Sequence, residues 1–402
     1  MEDARLRGHV RALDGVRGLA VLMVLGLHFI GNMEPTTPLE GVVAHAFIYG
    51  TLGVDLFFVL SGFLITGILV EAKGSTGYFR NFYMRRALRI FPLYYGVLAV
   101  VFFIAPLIPP LRDPSFSVLQ GRQLWAWLYG VNIFDAIQGA LSFRYIDHFW
   151  SLAVEEHFYF FWPLIVWLCP KRTLLGVSAG IALASLAARA TCASLHVNVI
   201  AIDVLTPFRL DALCFGGFLA VAARGPGGLN QLVRALKIGA PAAALLLACL
   251  YAFNRVTSMW TLPLHEVRTS LFAVLFGSMI VASVATPPER LLSRIFRSKA
   301  MVSLGKYSYG LYVLHHFFSY YFMSHRTEFV VAGWVGSHLL AVFLQAAVGL
   351  GLSIVAARLS FRFFEKPFLE MKRLWTSKPA PADALVAEAG ASSPGGAGAS
   401  GQ

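Results

Sequence analysis

Apolar runs of about 20 residues recur along almost the whole chain, and as a helix each is long enough to cross a bilayer. They stand near 12–31, 51–71, 89–108, 149–169, 172–190, 204–223, 237–254, 268–285, 304–323 and 333–358. In lipid a spanning backbone must satisfy its own hydrogen bonds, so runs of this length dictate helices. The expected fold class is all-α, a polytopic membrane bundle of about ten transmembrane helices. Composition agrees, because only 13% of the residues are charged, against about a quarter in soluble domains. The stretch "QLWAWLYGVNIF" (123–134) is apolar but short, and reads as a re-entrant or interfacial piece. Arg5, Arg7 and Arg11 precede the first run as in a signal peptide, but no small-x-small cleavage site follows "FIGNMEP", so a retained helix is expected.

Loop charge sets an expected orientation. With the N-terminus inside, 24 of the 33 Lys and Arg fall in inner segments and only six in outer loops. That asymmetry follows the positive-inside rule and puts both termini in the cytoplasm. The net charge of +12 is then a topology signal spread over separate loops, and nucleic acid is not an expected partner. Residues 1–375 read as one transmembrane domain, and 376–402, rich in Ala, Gly, Ser and Pro, as a disordered cytoplasmic tail. The four cysteines stand singly in or beside apolar runs, so neither a disulfide framework nor a metal site is expected.

Polar residues at membrane depth are the functional candidates, because burying them in lipid is costly. The first run holds Asp14, Arg17 and His28. Eleven helical steps of about 100° leave Arg17 and His28 only about 20° apart around the axis and roughly 16 Å apart along it. The second run carries Asp55 and Ser61. Arg85, Arg86 and Arg89 lead into the third, and the fourth opens with Trp150, Glu155, Glu156 and Tyr159. Arg209 and Asp211 open the sixth as an expected buried pair, while Tyr309 and His315 lie in the ninth. Each also has a purely structural reading: a helix-to-helix hydrogen bond, a topology charge, or a carboxylate complementing a helix N-terminus.

Taken together, these stretches resemble the acyltransferase-3 family of membrane acyltransferases. "LDGVRGLAVLMVLGLH" resembles its first-span signature, an Arg or Lys, ten residues and then His. "GVDLFFVLSGFLI", "FYMRRALRIFPLYY", "FWSLAVEEHFYFFWP" and "YSYGLYVLHH" resemble further family blocks in the right order. The resemblance covers roughly residues 10 to 370. His157 departs from the family pattern, which has glutamine after the Glu pair, and reads as a substrate-tuning change. Many relatives append an SGNH-type esterase-like domain, which is not expected here.

The resemblance implies transfer of an acyl group, usually acetyl, from cytoplasmic acyl-CoA to a hydroxyl of an extracytoplasmic or membrane-associated sugar or other small acceptor. It implies an integral protein of a bacterial cytoplasmic membrane, with acyl-CoA as co-substrate and no permanently bound cofactor. A hydroxyl is a poor nucleophile, and a histidine titrating near neutral pH can take its proton, a role His28 fits. Arg17 would meet a phosphate or the pantetheine entrance. Arg86 and Arg89, at i and i+3, form a fork suited to the CoA phosphates, with Arg85 assisting. Glu156 and Asp14 are candidates for orienting His28 or gripping acceptor hydroxyls, and Trp150 and Tyr159 for stacking on a sugar. Asp55, Ser61, Glu155, Arg209, Asp211, Tyr309 and His315 are candidates for acceptor binding or structural support. The competing class is a proton-coupled secondary transporter or a lipid-linked-sugar flippase, in which the same buried polar groups would form a pathway. Such transporters commonly show internal repeats, and none is visible here.

Overall fold

Pro170, Ser298 and Ser337 each stand immediately before a long helix, and the hydroxyls of Ser298 and Ser337 accept the backbone N–H of Met301 and Leu340. Caps of this kind set the starts of a series of long helices. The computed structural model describes residues 6, 8–108, 118–225, 227–257 and 262–375, and every regular element among them is helical. The expected tail at 376–402 lies outside the described residues. The long helices are α1 (Arg11–Gly26), α2 (Leu52–Ala72), α3 (Tyr78–Ala99), α4 (Phe149–Leu168) and α5 (Lys171–Ser194). They continue with α6 (Thr206–Ala223), α7 (Gly228–Thr257), α8 (Leu262–Ala285), α9 (Lys299–Ser324) and α10 (His338–Ser360).

Eight helices are long and apolar enough to cross a membrane. The two long helices outside that set, α4 and α9, have 20 and 26 residues. They fall short in apolarity because they carry Glu155, Glu156 and His157, or Lys306, His315 and His316. Length and even spacing make them spans as well, so the chain is an integral membrane protein of about ten helices. Residues 123–134 do not form a span; they fold as two short helices, Gln123–Trp127 and Val131–Gln138. The stretch expected to run from 333 to 358 divides at Gly336, which adopts φ of 73° and separates Thr327–Val335 from α10.

Two crossings organise the bundle, α2 against α6 and α1 against α9. Between α2 and α6, a Cβ at Gly62 would strike the backbone of Leu213 and one at Gly216 the backbone of Val59. Lipid supplies no hydrophobic drive between helices, so such close backbone approach is the main source of their attraction. Between α1 and α9, Gly18 meets the backbone of Met301, and Gly305 meets that of Asp14. Gly15 meets the backbone of Phe296 just before α9, and His28 meets His315 in its second half, so the two helices run parallel. Beyond Gly26 the α1 backbone widens into a π turn, Leu27–Gly31, which carries His28 against the second half of α9.

Gly216→Leu should push α6 from α2 at a cost of about 1–3 kcal/mol or more, as overpacking does. Thermal melting of the detergent-purified protein, followed by size-exclusion chromatography, should show a lower Tm. An unchanged Tm would contradict the α2–α6 crossing.

Candidate functional site

Arg86 and Arg89 fall one helical turn apart on α3, on the side that faces α1, α4 and α9. Together with Arg17 from α1 they line a partly open cavity of about 100 Å3. Ser61 of α2, Ser151, Glu155, Glu156 and Tyr159 of α4, and Ser308, Tyr309 and Tyr312 of α9 complete its polar lining. The Ser61 and Tyr159 hydroxyls are 2.6 Å apart, and Glu155 lines the cavity with them. The Arg86 guanidinium sits over the Tyr159 ring at 5.2 Å, a cation–π contact. Tyr309 donates to the Ile90 carbonyl at 2.7 Å and ties α9 to α3. One Glu156 oxygen is buried in this region with no hydrogen-bond partner.

Tyr312 forms one wall of the cavity, and a cluster of histidines stands behind it. Its ring centroid lies 5.3 Å from His148 and 5.9 Å from His315. The His28 ring lies 4.9 Å from His315 and 4.8 Å from His316, and His148 lies 4.9 Å from His316. Carbonyl contacts fix the tautomers. His28 Nδ1 is 2.9 Å from the Val24 carbonyl, which can only accept, so Nδ1 carries the proton and Nε2 keeps its lone pair. His315 Nδ1 likewise donates to the Tyr312 carbonyl at 2.7 Å, leaving Nε2 to face His28 Nδ1 at 3.3 Å. His148 donates through Nε2 to the Val313 carbonyl at 3.3 Å, and its buried Nδ1 has no partner. Among the described residues, no group of His, Cys, Asp and Glu is arranged to hold a metal ion.

A family model described as an acyltransferase domain, that of acyltransferase-3, matches residues 10–358. The chain belongs to the acyltransferase-3 family. It is similar to a candidate O-acetyltransferase of Staphylococcus aureus (strain COL), 28% identical over 381 residues, covering 90% of this chain and 57% of that protein. It is also similar to the peptidoglycan O-acetyltransferase OatA of Listeria monocytogenes, 27% identical over 383 residues, covering 90% and 56%. A candidate peptidoglycan O-acetyltransferase of Bacillus subtilis is 27% identical over 385 residues, covering 89% and 55%. The chain thus spans a little over half the length of these relatives. No solved structure matches it.

Several family-block residues take places that the sequence does not reveal. Arg209 and Asp211 do not pair with each other, because two steps along a helix turn their side chains apart. Arg209 meets Asp55 at 3.5 Å and lies over the Trp150 ring at 5.4 Å. Asp211 instead accepts from Arg189 at 2.8 Å and from the Ser270 hydroxyl at 2.6 Å. Asp14 lies roughly 20 Å before His28 on the same helix. It neighbours Arg17 at 3.7 Å and His9 at 2.7 Å, too far away to orient the His28 ring. Glu156 likewise lines the arginine cavity and is not among the His28 contacts. Arg85 is exposed and off the cavity wall. His157 contacts the Thr206 hydroxyl at 2.7 Å, so the departure from glutamine falls in a helix-to-helix contact outside the cavity lining.

His148, His316, Tyr312 and Arg189 are site or support residues that the sequence reading passes over. His148 is the first residue before α4, and its position depends on the preceding loop. There Asp135 accepts the Ser142 N–H at 2.9 Å, its second oxygen has no partner, and Asp147 accepts the Phe143 N–H. Burial, with Asp147 nearby, pushes the Asp135 carboxyl up to about 8. The unfolded carboxyl ionises near pH 4, so the unfolded chain loses this proton first and stability falls as pH rises from about 4 to 8. Asp135→Asn keeps the acceptor to Ser142 and removes the titration. Its gain in Tm should be larger at pH 8 than at pH 5, and an equal change at both would contradict this assignment.

Proposed function

We propose that this protein is a membrane O-acetyltransferase that moves an acetyl group from cytoplasmic acyl-CoA to a hydroxyl of a glycan or other small acceptor at or beyond the membrane. The observation that carries the reading is an alignment: a cavity lined by Arg17, Arg86 and Arg89, Tyr312 on its wall, and the unprotonated Nε2 of His28 in the histidine cluster on the far side of Tyr312. The names of the Listeria and Bacillus relatives favour a glycan acceptor. The charge asymmetry of the loops favours an arginine end that faces the cytoplasm.

In this reading the guanidiniums hold the donor phosphates by charge-assisted hydrogen bonds, and the pantetheine arm runs past Tyr312. The acceptor hydroxyl approaches His28, whose Nε2 takes its proton as the oxygen bonds to the thioester carbon. The carbon–sulfur bond then breaks, and the CoA sulfur leaves with a proton returned from the imidazole. The Val24 carbonyl keeps its hydrogen bond from His28 Nδ1 and stabilises the imidazolium formed midway, and the lone pair of His315 Nε2 stands 3.3 Å from the same nitrogen. Asp55, Arg209, Asp211 and Trp150 act as support that fixes α2, α4 and α6 around the cavity.

Purified protein in nanodiscs, given labelled acetyl-CoA and membrane extract, should release CoA and form a labelled product. His28→Ala should lower kcat by about 10²–10⁴-fold with donor binding retained. Arg86→Ala or Arg89→Ala should raise the donor KM by about 10-fold to 150-fold, with partial rescue by Lys. A transporter or flippase would give neither CoA release nor labelled product. Near-full turnover in a folded His28→Ala protein would overturn the assignment of the base.

A further inference from the structure

The chain after α10 folds back along α3, the helix that carries Arg86 and Arg89 of the cavity. The backbone widens into a π turn at Phe361–Glu365, then forms the short helices Lys366–Glu370 and Met371–Leu374. These pack along α3. Two aromatic contacts pin them there. The Phe364 ring lies 3.0 Å from where a Cβ at Gly96 would fall, and the Arg80 guanidinium sits over the Trp375 ring at 5.2 Å. Lys372 lies between these two contacts, half-buried, beside the stretch of α3 from Arg80 to Gly96 that carries Arg85, Arg86 and Arg89.

Four basic side chains thus gather on and beside one stretch of α3. Basic residues that mark topology are ordinarily solvated and apart, whereas these converge on one place. Among the described residues Lys372, Arg85 and Arg89 have no hydrogen bond or salt bridge through their side chains. Glu155 and Glu156 act on Arg86, and Glu365 acts on Arg89. No carboxylate is among the groups acting on Lys372. The nearest acid in its own segment, Glu370, faces Lys366 at 3.6 Å. The inner arginines therefore have protein counter-charges, while the outer cations, Lys372 and Arg85, have none. A bound polyanion would remove their mutual repulsion.

We propose that Lys372 and Arg85 form the subsite for the 3′-phosphate of the donor's adenosine, a reading that rests on acyl-CoA as the ligand of the arginine cavity. The donor carries two separate anionic groups, a diphosphate and a ribose phosphate. With its acyl end deep, the diphosphate meets Arg86 and Arg89 on the cavity wall. The nucleotide end is left outside the cavity, beside the stretch of α3 where Lys372 and the exposed Arg85 lie. A lysine suits this position, because a terminal phosphate needs charge but no planar fork. The C-terminal segment that carries Lys372 thus discriminates the full donor from one lacking that phosphate.

The test is calorimetric titration of the full chain in nanodiscs with CoA and with 3′-dephospho-CoA. The unaltered protein should bind CoA more tightly than 3′-dephospho-CoA. Lys372→Ala should weaken CoA binding by about 10-fold, the loss of one charge-assisted contact, and leave 3′-dephospho-CoA binding nearly unchanged. Arg85→Ala, on an exposed side chain that should not disturb folding, should show a smaller loss with the same selectivity. Lys372→Arg should retain part of the preference, and Arg86→Ala should weaken both ligands alike. Equal losses for the two ligands in Lys372→Ala and Arg85→Ala, or no preference in the unaltered protein, would overturn the subsite. Failure of the unaltered protein to bind either ligand would instead remove the acyl-CoA reading itself.

Discussion

A charge placed inside a bilayer must find a partner within the protein, and this chain satisfies that demand in two different ways. On one side of the bundle the charges are matched. Arg189, 1% exposed, meets Asp211, Glu266 and Ser270, and so joins α5, α6 and α8. Arg209 meets Asp55 and lies over Trp150, joining α6 to α2 and α4. On the other side Arg17, Arg86 and Arg89 have looser counter-charges in Asp14, Glu155, Glu156 and Glu365 and turn toward an open cavity. Removing one member of a buried pair strands the other charge and costs about 3–5 kcal/mol, so the matched set reads as framework. The cavity set has room for a ligand, and that asymmetry separates support from chemistry.

The framework matters because α1 bears on both ends of the proposed reaction. Gly18 and Gly305 let α1 and α9 touch along parallel paths. Arg17 is then fixed at the cavity and His28 is fixed against His315. Their separation of roughly 16 Å along α1 and the π turn that extends it is set by helix geometry. An extended pantetheine arm covers a comparable distance. In the acyl-transfer reading α1 is thus a ruler that sets how far the acyl carbon lies from the phosphates.

The helical class and most spans were legible because a bilayer imposes length and apolarity on each element separately. Even α4 and α9, rich in polar residues, could be read from span length and the aromatic residues around Glu155 and His315. Pairings across helices were another matter. Residues near in sequence, such as Arg209 and Asp211, invite a local pair, yet helical geometry turns them to separate partners on α2 and α5. Sequence alone also could not place His148 beside His316, since that contact depends on how the 118–148 segment returns to α4. The fork of Arg86 and Arg89 was readable because i and i+3 share a helix face. The approach of Lys372 was not, because it depends on the turn after Ser360. His157 shows the opposite error. A motif position suggested chemistry, and packing against Thr206 gave it a structural contact.

The most direct measurement is an experimental structure of the protein in nanodiscs with a non-hydrolysable acetyl-CoA analogue. The account expects the diphosphate against Arg86 and Arg89, the pantetheine arm past Tyr312, and the acetyl carbonyl at the histidine cluster. The carbonyl carbon should then leave space for a hydroxyl oxygen about 3–3.5 Å from it and within hydrogen-bond reach of His28 Nε2. An analogue bound elsewhere, or one whose acetyl group points away from His28, would contradict the account.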